Sequence, residues 1–440
     1  YEQPVSEARL LQFEKELLEI RNQLSQHPQE NGDLMPGWCT KDLCFEAEIT
    51  VSYFGSYVDD RAYTGGADGI LRRQPANDST YVHQMLYALK FGFSKTFGNE
   101  WEAGFTIGST VGNGNDGFIL IGGPGNGNGQ PYFGEDELGI YKAYIKYTPE
   151  CVPGLTVVGG KFENPLTTTD LVWDAEITPE GLAQQYEFQT DGNFKPYVTM
   201  AQLIAREQGN DRDLHCFAWQ VGFALERIAD AVDWNVAFTF YDWDGFEDAP
   251  RLGLGAPGAA NLWPLGTRTQ TLFGNTISLR RSDGLVYYDV GDFSILNLLN
   301  KADFDLTVGE TVIPTSMYLD LAWNADTANT AFNAFNGQPI GRRNDRFAWA
   351  LGLTLGGLEK KGSMEFGYKY ASIEPNAIVG AMGDQDFGYS NTRGHSAWLG
   401  YQVHDNISLV GTVWVTEPIY DLDHTQTVTP SFEFDVIFTY

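Results

Sequence analysis

Large apolar residues alternate one by one with small, polar or charged residues along most of the chain after residue 45. A period of two places successive side chains on opposite faces of a β-strand. One face of each segment is therefore apolar, and the other is suited to water. The clearest segment is the last one, in which Phe432, Phe434, Val436, Phe438 and Tyr440 alternate with Glu433, Asp435, Ile437 and Thr439.

The connections between these segments alternate between short turns and long loops that are rich in Gly, Asn and Asp. This alternation is typical of a membrane barrel with tight turns at one end and large loops at the other. The fold class is therefore all-β, a transmembrane antiparallel β-barrel over 45–440 with about 16 strands; two further strands near 272–279 and 285–288 would make about 18. The predicted strands are 45–58, 81–97, 101–111, 138–148, 155–163, 184–189, 195–205, 214–225, 233–243, 301–308, 314–323, 343–355, 363–374, 392–403, 406–416 and 430–440.

A different periodicity precedes the barrel. Between Ser6 and Gln26, apolar residues are spaced by three and four, which is the a/d seam of a heptad repeat. A single helix packed on a globular core would show the same spacing, but the following residues are polar and turn-rich. We predict a short α-helical coiled coil over 1–26 and a linker over 27–44. The seam residues are Leu10, Phe13, Leu17, Ile20 and Leu24.

Composition narrows the choice of function. No stretch of the 440 residues approaches the roughly 20 consecutive apolar residues of a spanning helix. The chain carries 58 acidic and 28 basic residues, a formal net charge of −30. Nucleic-acid binding needs a basic surface, so it is excluded. The charge fits acidic surface loops and equally a pore whose field attracts cations.

The four cysteines are Cys39, Cys44, Cys151 and Cys216. Cys39 and Cys44 are close enough in sequence for a local disulfide in an oxidising compartment, although sequence alone does not fix the pairing. Zinc is the other interpretation of four cysteines. It is disfavoured because the chain has no CxxC pair and only 6 scattered histidines.

An acidic run loosely resembles a calcium loop, although it lacks the spacing and terminal Glu of an EF-hand. A solvated acidic loop is the alternative, so Ca²⁺ is the one cofactor that the sequence leaves open. No histidine lies in a recognisable hydrolase motif. We therefore do not expect an enzyme. The acidic run consists of Asp242, Asp244, Glu247 and Asp248.

The chain resembles the bacterial outer-membrane porins. The last strand ends on aromatic residues, Phe438 and Tyr440, which resemble the carboxy-terminal signal for barrel insertion. The segment 160–183 is similar to a stretch shared by a porin family. The resemblance implies a homotrimer in the outer membrane, in contact with lipid and lipopolysaccharide, with both chain ends in the periplasm.

In general porins, the loop after the fifth strand folds into the barrel and narrows the pore. The resemblance assigns that place to 164–183, whose carboxylates would face basic residues on the opposite wall. An extracellular cap or a subunit latch is the alternative role of this loop. The candidate acidic residues of the constriction are Glu163, Asp170, Asp174, Glu176 and Glu180. The candidate basic residues are Lys142, Lys146, Lys161, Lys369, Arg393, Arg342, Arg343 and Arg346.

Two functions follow from these patterns. The first is a porin that forms a water-filled channel for passive diffusion of small hydrophilic solutes and ions, with a preference for cations. The alternative is a structural envelope protein whose coiled coil tethers the outer membrane to peptidoglycan or another cell-wall polymer.

Overall fold

The computed structural model describes most of the chain after Trp38. No helix within these residues is long and apolar enough to cross a membrane. The coiled coil and most of the linker predicted from the sequence lie outside the described residues. Those residues are 38–39, 43–58, 63–65, 71–73, 80–109, 119–120, 138–206, 213–228, 231–245, 271–272, 275–276, 278–282, 285–289, 293–326, 331–332, 339–340, 345–419 and 428–440.

Sixteen long strands of the described chain form one closed antiparallel barrel, so the predicted fold class is confirmed. Each strand pairs with its neighbours in sequence, and the first and last close the wall from Glu48↔Thr439 to Ser56↔Ser431. The strands are β1 (Leu43–Val58), β2 (Thr80–Phe97), β3 (Trp101–Ser109), β4 (Leu138–Tyr147), β5 (Leu155–Lys161), β6 (Glu180–Glu187), β7 (Phe194–Arg206), β8 (Leu214–Ile228), β9 (Val232–Asp244), β10 (Phe293–Val308), β11 (Thr311–Asn324), β12 (Phe347–Gly356), β13 (Met364–Ile373), β14 (Thr392–His404), β15 (Ile407–Pro418) and β16 (Thr429–Thr439).

The two extra strands considered near 272–279 and 285–288 do not join the barrel. This region instead forms two small hairpins, Thr271–Leu272 with Asn275–Thr276 and Ser278–Ser282 with Leu285–Asp289. Short pairs also form at Tyr63–Gly65 with Leu71–Arg73 and at Ala331–Phe332 with Pro339–Ile340. Among the described residues, Gly380–Met382 form one short 3₁₀ turn.

The first strand is extended by a small hairpin at the end of the barrel that carries the short turns. Trp38–Cys39 pairs with the start of β1, and a disulfide joins Cys39 to Cys44. Part of the predicted linker is therefore structured. Of the other two cysteines, Cys151 is exposed and Cys216 is buried, and both are free thiols.

Alternation along the strands separates an outer from an inner face. On β11, Met317, Leu319 and Trp323 are exposed, whereas Asp320 and Asn324 are fully buried inside the barrel. Apolar side chains on the outer face can contact lipid, and polar side chains on the inner face can be hydrated or hydrogen-bonded. The same division holds on β16, where Phe434 is exposed and Glu433 faces inward.

Strand β10 begins eight residues earlier than the sequence predicts, at Phe293 rather than 301. Its inward positions Phe293, Ile295 and Leu299 are apolar and buried. Because apolar residues also lie on the outer face here, at Leu296 and Leu298, the alternation that marks the other strands is weakened. Strand β6 also begins early, at Glu180 rather than 184, directly after Pro179.

Candidate functional site

The loop 162–179, which connects β5 to β6, lies inside the barrel. The backbone N–H of Thr167 donates to the side chain of Gln220 on β8 (3.0 Å), and that side chain donates back to the Thr167 carbonyl (2.9 Å). The Thr169 hydroxyl donates to Asp320 on β11 (2.5 Å). These partners are inward-facing residues of distant strands, so the loop crosses the lumen.

Apolar side chains hold the loop in this position. Leu171, Val172 and Trp173 are buried. The Trp173 ring stacks on Trp243 of β9 with centroids 6.1 Å apart, and its indole N–H donates to the Ile177 carbonyl (3.0 Å). Burial of these side chains stabilises the inward position through the hydrophobic effect. The inward wall is apolar where they pack.

A second loop, 374–391 between β13 and β14, also folds into the barrel. The backbone N–H of Asp174 donates to the Met382 carbonyl (2.7 Å), which joins the two loops. Ile378 and Phe387 of the second loop are buried. The side chain of Asn275 donates to the Ile378 carbonyl (2.8 Å) and fixes this loop from the hairpin region above it. No pattern in the sequence predicts this inward fold.

Lys369 on β13 connects the two loops electrostatically. Its ammonium lies 2.6 Å from a carboxylate oxygen of Asp384 in the second loop and 3.8 Å from one of Asp170 in the first. The lysine itself is almost fully buried. A buried cation needs opposite charge and hydrogen bonds, and the two loops supply them.

The wall of β1–β4 carries a second set of ion pairs. Six of these side chains face inward from strands that pair side by side, and the seventh, Glu163, reaches them from the inward loop. Lumen water reaches most of them, because several of the side chains are partly exposed. The N–O distances are 3.3 Å for Lys90–Glu48, 2.6 Å for Lys142–Glu163, 4.0 Å for Lys142–Glu46 and 3.5 Å for Lys146–Glu102.

The structure places four of the five predicted acidic residues in the inward loop. Glu163 and Asp170 form the ion pairs described above. The Asp174 carboxylate accepts the Glu176 N–H (2.9 Å), and the Glu176 carbonyl accepts the Tyr141 hydroxyl (3.2 Å). The fifth residue, Glu180, lies outside this loop.

Glu180 begins β6 on the outer face of the wall, on the same side as exposed Leu182. It pairs with Lys161, directly opposite on β5, at 2.8 Å. Both residues were predicted to face the pore. The prediction was wrong for them because β6 begins early, which fixes Glu180 in the strand alternation rather than in the loop.

The basic residues also divide between the two faces. Lys142, Lys146 and Lys369 face the lumen. Arg393 is on the outer face of β14, where it pairs with Glu417 at 2.7 Å. Arg346 lies at the rim, 5.5 Å above the ring of outward-facing Trp323, and donates to the Asp326 carbonyl. Neither arginine therefore belongs to the inner wall, and Arg342 and Arg343 lie outside the described residues.

Burial raises the pKa of two carboxyl groups in the inward loop. It raises the pKa of Asp174 to about 6, against the opposing effect of the Glu176 N–H. Burial also raises the pKa of Asp170, although the Lys369 ammonium opposes this shift. Lumen water nevertheless reaches the Asp170 side chain, which is 47% exposed. Desolvation of the charged form is the dominant cause in both cases.

Several residues of the site were not predicted. Glu46, Glu48 and Lys90 occupy polar positions of alternating strands, and their facing could have been read from that alternation. Asp320 and Asp384 gave no comparable signal, because each depends on where an inward loop packs.

The calcium candidate is only partly described. Asp242 and Asp244 lie at the end of β9, and Asp242 accepts a hydrogen bond from Ser294 at 3.5 Å. Glu247 and Asp248 lie outside the described residues. Within the described part of the chain, no three His, Cys, Asp or Glu side chains are grouped so as to hold a metal ion.

Comparisons with known proteins agree with this geometry. Residues 89–252 match the model of a family described as "Putative porin". No curated protein sequence matches the chain. The fold is similar to that of OprB from Pseudomonas putida in a high-pH structure, with 9% identity, a TM-score of 0.51, and coverage of 91% of this chain and 94% of that one.

The chain is also similar to OmpF of Salmonella typhi in complex with daunomycin, with 9% identity, a TM-score of 0.47, and coverage of 92% and 100% of the two chains. At this identity, the likeness to OprB establishes the fold alone. Together with the family match over β2 to β9, it confirms the resemblance to porins drawn from the sequence.

Proposed function

We propose that this chain is an outer-membrane porin, a water-filled channel for passive diffusion of small hydrophilic solutes and ions that prefers cations. The observation that carries the proposal is the closed barrel itself. Its outer face is apolar, and its inner face carries charged side chains around an inward loop. A soluble barrel would need a polar outer face and would not need a hydrated interior.

The charges of the constriction support the cation preference. Over the described residues named above, six carboxylates take part in ion pairs with four lysines. Each of these lysines is already paired, so an anion would have to compete with a fixed carboxylate. The excess negative charge acts in a narrow lumen, where fields are less screened than in bulk water.

Orientation and assembly belong to the same proposal. The short turns and the C-terminal Tyr440 share one end of the barrel, which we assign to the periplasm. The outer face would contact lipid and lipopolysaccharide, and three barrels would associate. Tethering to peptidoglycan through 1–26 stays a prediction, since those residues lie outside the described part of the chain.

Planar-bilayer recording of the purified protein tests the function. We expect discrete open-channel steps and, in a KCl gradient, a reversal potential of the sign for K⁺ permeation. The preference should weaken with salt, because the Debye length falls from about 10 Å at 0.1 M to about 3 Å at 1 M. Purified protein that inserts but never conducts would contradict the proposal.

A further inference from the structure

The outer face of the barrel carries an apolar groove where β1–β3 meet the C-terminal residue. The groove has a volume of about 260 Å³. Ala47 of β1 lies among large side chains here, and its single methyl group leaves the hollow between them unfilled. The side chains that surround it are Phe45, Phe91, Phe93, Phe105, Ile107 and Tyr440.

The strand register builds this groove. Phe93 and Phe105 lie directly opposite each other on β2 and β3, and their ring centroids are 5.8 Å apart. In the next row, Ala47 lies opposite Phe91, and its backbone bonds to Tyr440 at 2.8 Å. The rings of Phe91 and Phe93 are 43% and 47% exposed on the outer face. The groove is therefore open toward the membrane, and an apolar group fits it.

Lys95 places a positive charge at one end of the groove. It follows Phe93 by two residues on β2, so it is exposed on the same outer face, about 7 Å nearer the short turns. Its ammonium lies 5.3 Å from the centroid of the Phe97 ring. The residues opposite it on β1 and β3 are Leu43 and Ala103, which are uncharged. Among the described residues, no carboxylate pairs with this ammonium, so an anion can bind it.

A phospholipid of the periplasmic leaflet has the chemistry that this arrangement requires. Its phosphate lies at the membrane–water interface, and its acyl chains run from there toward the bilayer midplane. The site has the same order, with Lys95 near the short turns and the apolar groove deeper in the wall. An ammonium binds phosphate through a charge-assisted hydrogen bond. An acyl chain that fills a hollow contacts protein on several sides and gains dispersion energy that a smooth wall does not give.

We propose that β1–β3 and Tyr440 form a binding site for one phospholipid, whose phosphate pairs with Lys95 and one of whose acyl chains fills the groove over Ala47. The inference rests on the membrane location and the orientation that the proposed function gives to the barrel. The groove lies across the contact between β1 and the C-terminal residue. The bound lipid therefore contacts both sides of the strand pair that closes the barrel.

Native mass spectrometry of the purified full chain in detergent micelles tests the site, with phosphatidylglycerol as the probe. Lys95→Gln removes the charge, and Ala47→Phe fills the groove. Ala397→Phe, at an outward alanine of β14, is the matched control for the added ring. Lys360→Gln, in the exposed turn between β12 and β13, is the control for the lost charge.

We expect the unmodified protein to retain one phosphatidylglycerol per chain. Lys95→Gln should weaken retention about tenfold, because a hydrogen bond between charged groups is lost. Ala47→Phe should weaken it at least as much, because the added ring occupies the place of the acyl chain. Ala397→Phe and Lys360→Gln should bind like the unmodified protein. Glycerol phosphate, which has the phosphate but no acyl chain, should not be retained.

Equal retention by Lys95→Gln and the two controls would overturn the lipid site, and this comparison decides alone if Ala47→Phe does not fold. If Ala47→Phe instead reduced an assembly to single chains without changing lipid retention, the groove would hold a second copy of this chain, which would also overturn the site. Protein that retains the lipid but never conducts would contradict the porin proposal. Protein that conducts without retaining the lipid would overturn the lipid site alone, so the two failures are distinguishable.

Discussion

Small residues decide how closely inward side chains can approach the barrel wall. The ring of Trp398 on β14 lies flat against Gly367 on β13, and its indole N–H donates to Glu365 (2.7 Å). A Cβ added at Gly367 would lie 1.9 Å from that ring. The Trp398 ring can therefore occupy this position only because Gly367 has no side chain.

We predict that Gly367→Ala destabilises the barrel by about 1–3 kcal/mol, the usual cost of overpacking a close contact. Reversible urea unfolding in lipid vesicles measures the change. Gly357→Ala is the control, since its added Cβ would have its nearest neighbour 4.0 Å away, at Glu359. Equal unfolding free energies for the two variants would argue against a fixed Trp398 ring.

The titration of Asp174 gives a pH-dependent selectivity. Burial raises its pKa to about 6, so the carboxylate is charged at pH 7 and gains a proton as the pH falls through that value. Each protonation removes one negative charge from the lumen. We therefore predict that cation preference decreases on acidification, with a midpoint near pH 6, in reversal-potential measurements.

Asp174→Asn is the matched variant for this effect. It should show at neutral pH the weaker preference that the unmodified protein shows in acid, and it should lose the step near pH 6. A step that persists in Asp174→Asn would assign the titration to another group.

At the scale of elements, the inward loop 162–179 and the start of β6 carry carboxylates that lie on opposite sides of the barrel wall. Asp170, Asp174 and Glu176 lie within the lumen loop, whereas Glu180 lies on the outer face of β6, beside Lys161. All four side chains are carboxylates, and Glu176 and Glu180 are only four residues apart in the sequence. Selectivity should depend on the position of the charge rather than on the net charge of the loop.

We predict that neutralising Asp170, Asp174 and Glu176 together, as Asn or Gln, shifts the reversal potential toward anions. Glu180→Gln should leave it nearly unchanged. The shift should be larger at low salt, because screening by salt weakens it. If the triple variant keeps its cation preference, the overall charge of −30 rather than this loop sets the selectivity.

At the scale of the whole molecule, the last residue closes the barrel. The backbone N–H and carbonyl of Tyr440 both bond to Ala47 of β1, at 2.8 Å each. Its side chain remains exposed on the outer face. The ring therefore adds little to the closed barrel, while the backbone bonds do not require it.

We predict that Tyr440→Ser reduces the amount of protein in the outer membrane several-fold, yet leaves the unfolding free energy of refolded barrels nearly unchanged. Quantitative blotting of membrane fractions and urea unfolding measure the two effects. Tyr401→Ser, on the outer face of β14, serves as the control. Normal membrane levels of Tyr440→Ser would contradict its role as an assembly signal.

The assembly into trimers is also a property of the whole molecule. We predict a trimer in mild detergent that persists when Phe13 and Leu17 are replaced by Ser, because a coiled coil of about three heptads is marginal alone. Light scattering coupled to size exclusion measures the mass. A monodisperse monomer of the unmodified protein would contradict this prediction.

The amino-acid sequence by itself determined the strand pattern and the facing of most strands. Apolar and polar residues alternate in the sequence from Met317 to Asn324, and their side chains alternate between the outer and inner faces of the barrel. A period of two places successive side chains of a strand on opposite faces. The alternation of short turns and long loops likewise predicted sixteen strands. Each connection can be recognised from its own residues, because turns and loops depend on local sequence.

The tertiary structure decided which polar residues share the lumen. Glu180 and Glu176 are four residues apart and chemically alike, yet a strand that begins at Glu180 sends that carboxylate to the outer face. The inward fold of 374–391 was likewise beyond the sequence, as was the meeting of Asp170, Lys369 and Asp384. These contacts join residues up to hundreds of positions apart, and their formation depends on shape and packing across the barrel rather than on local periodicity.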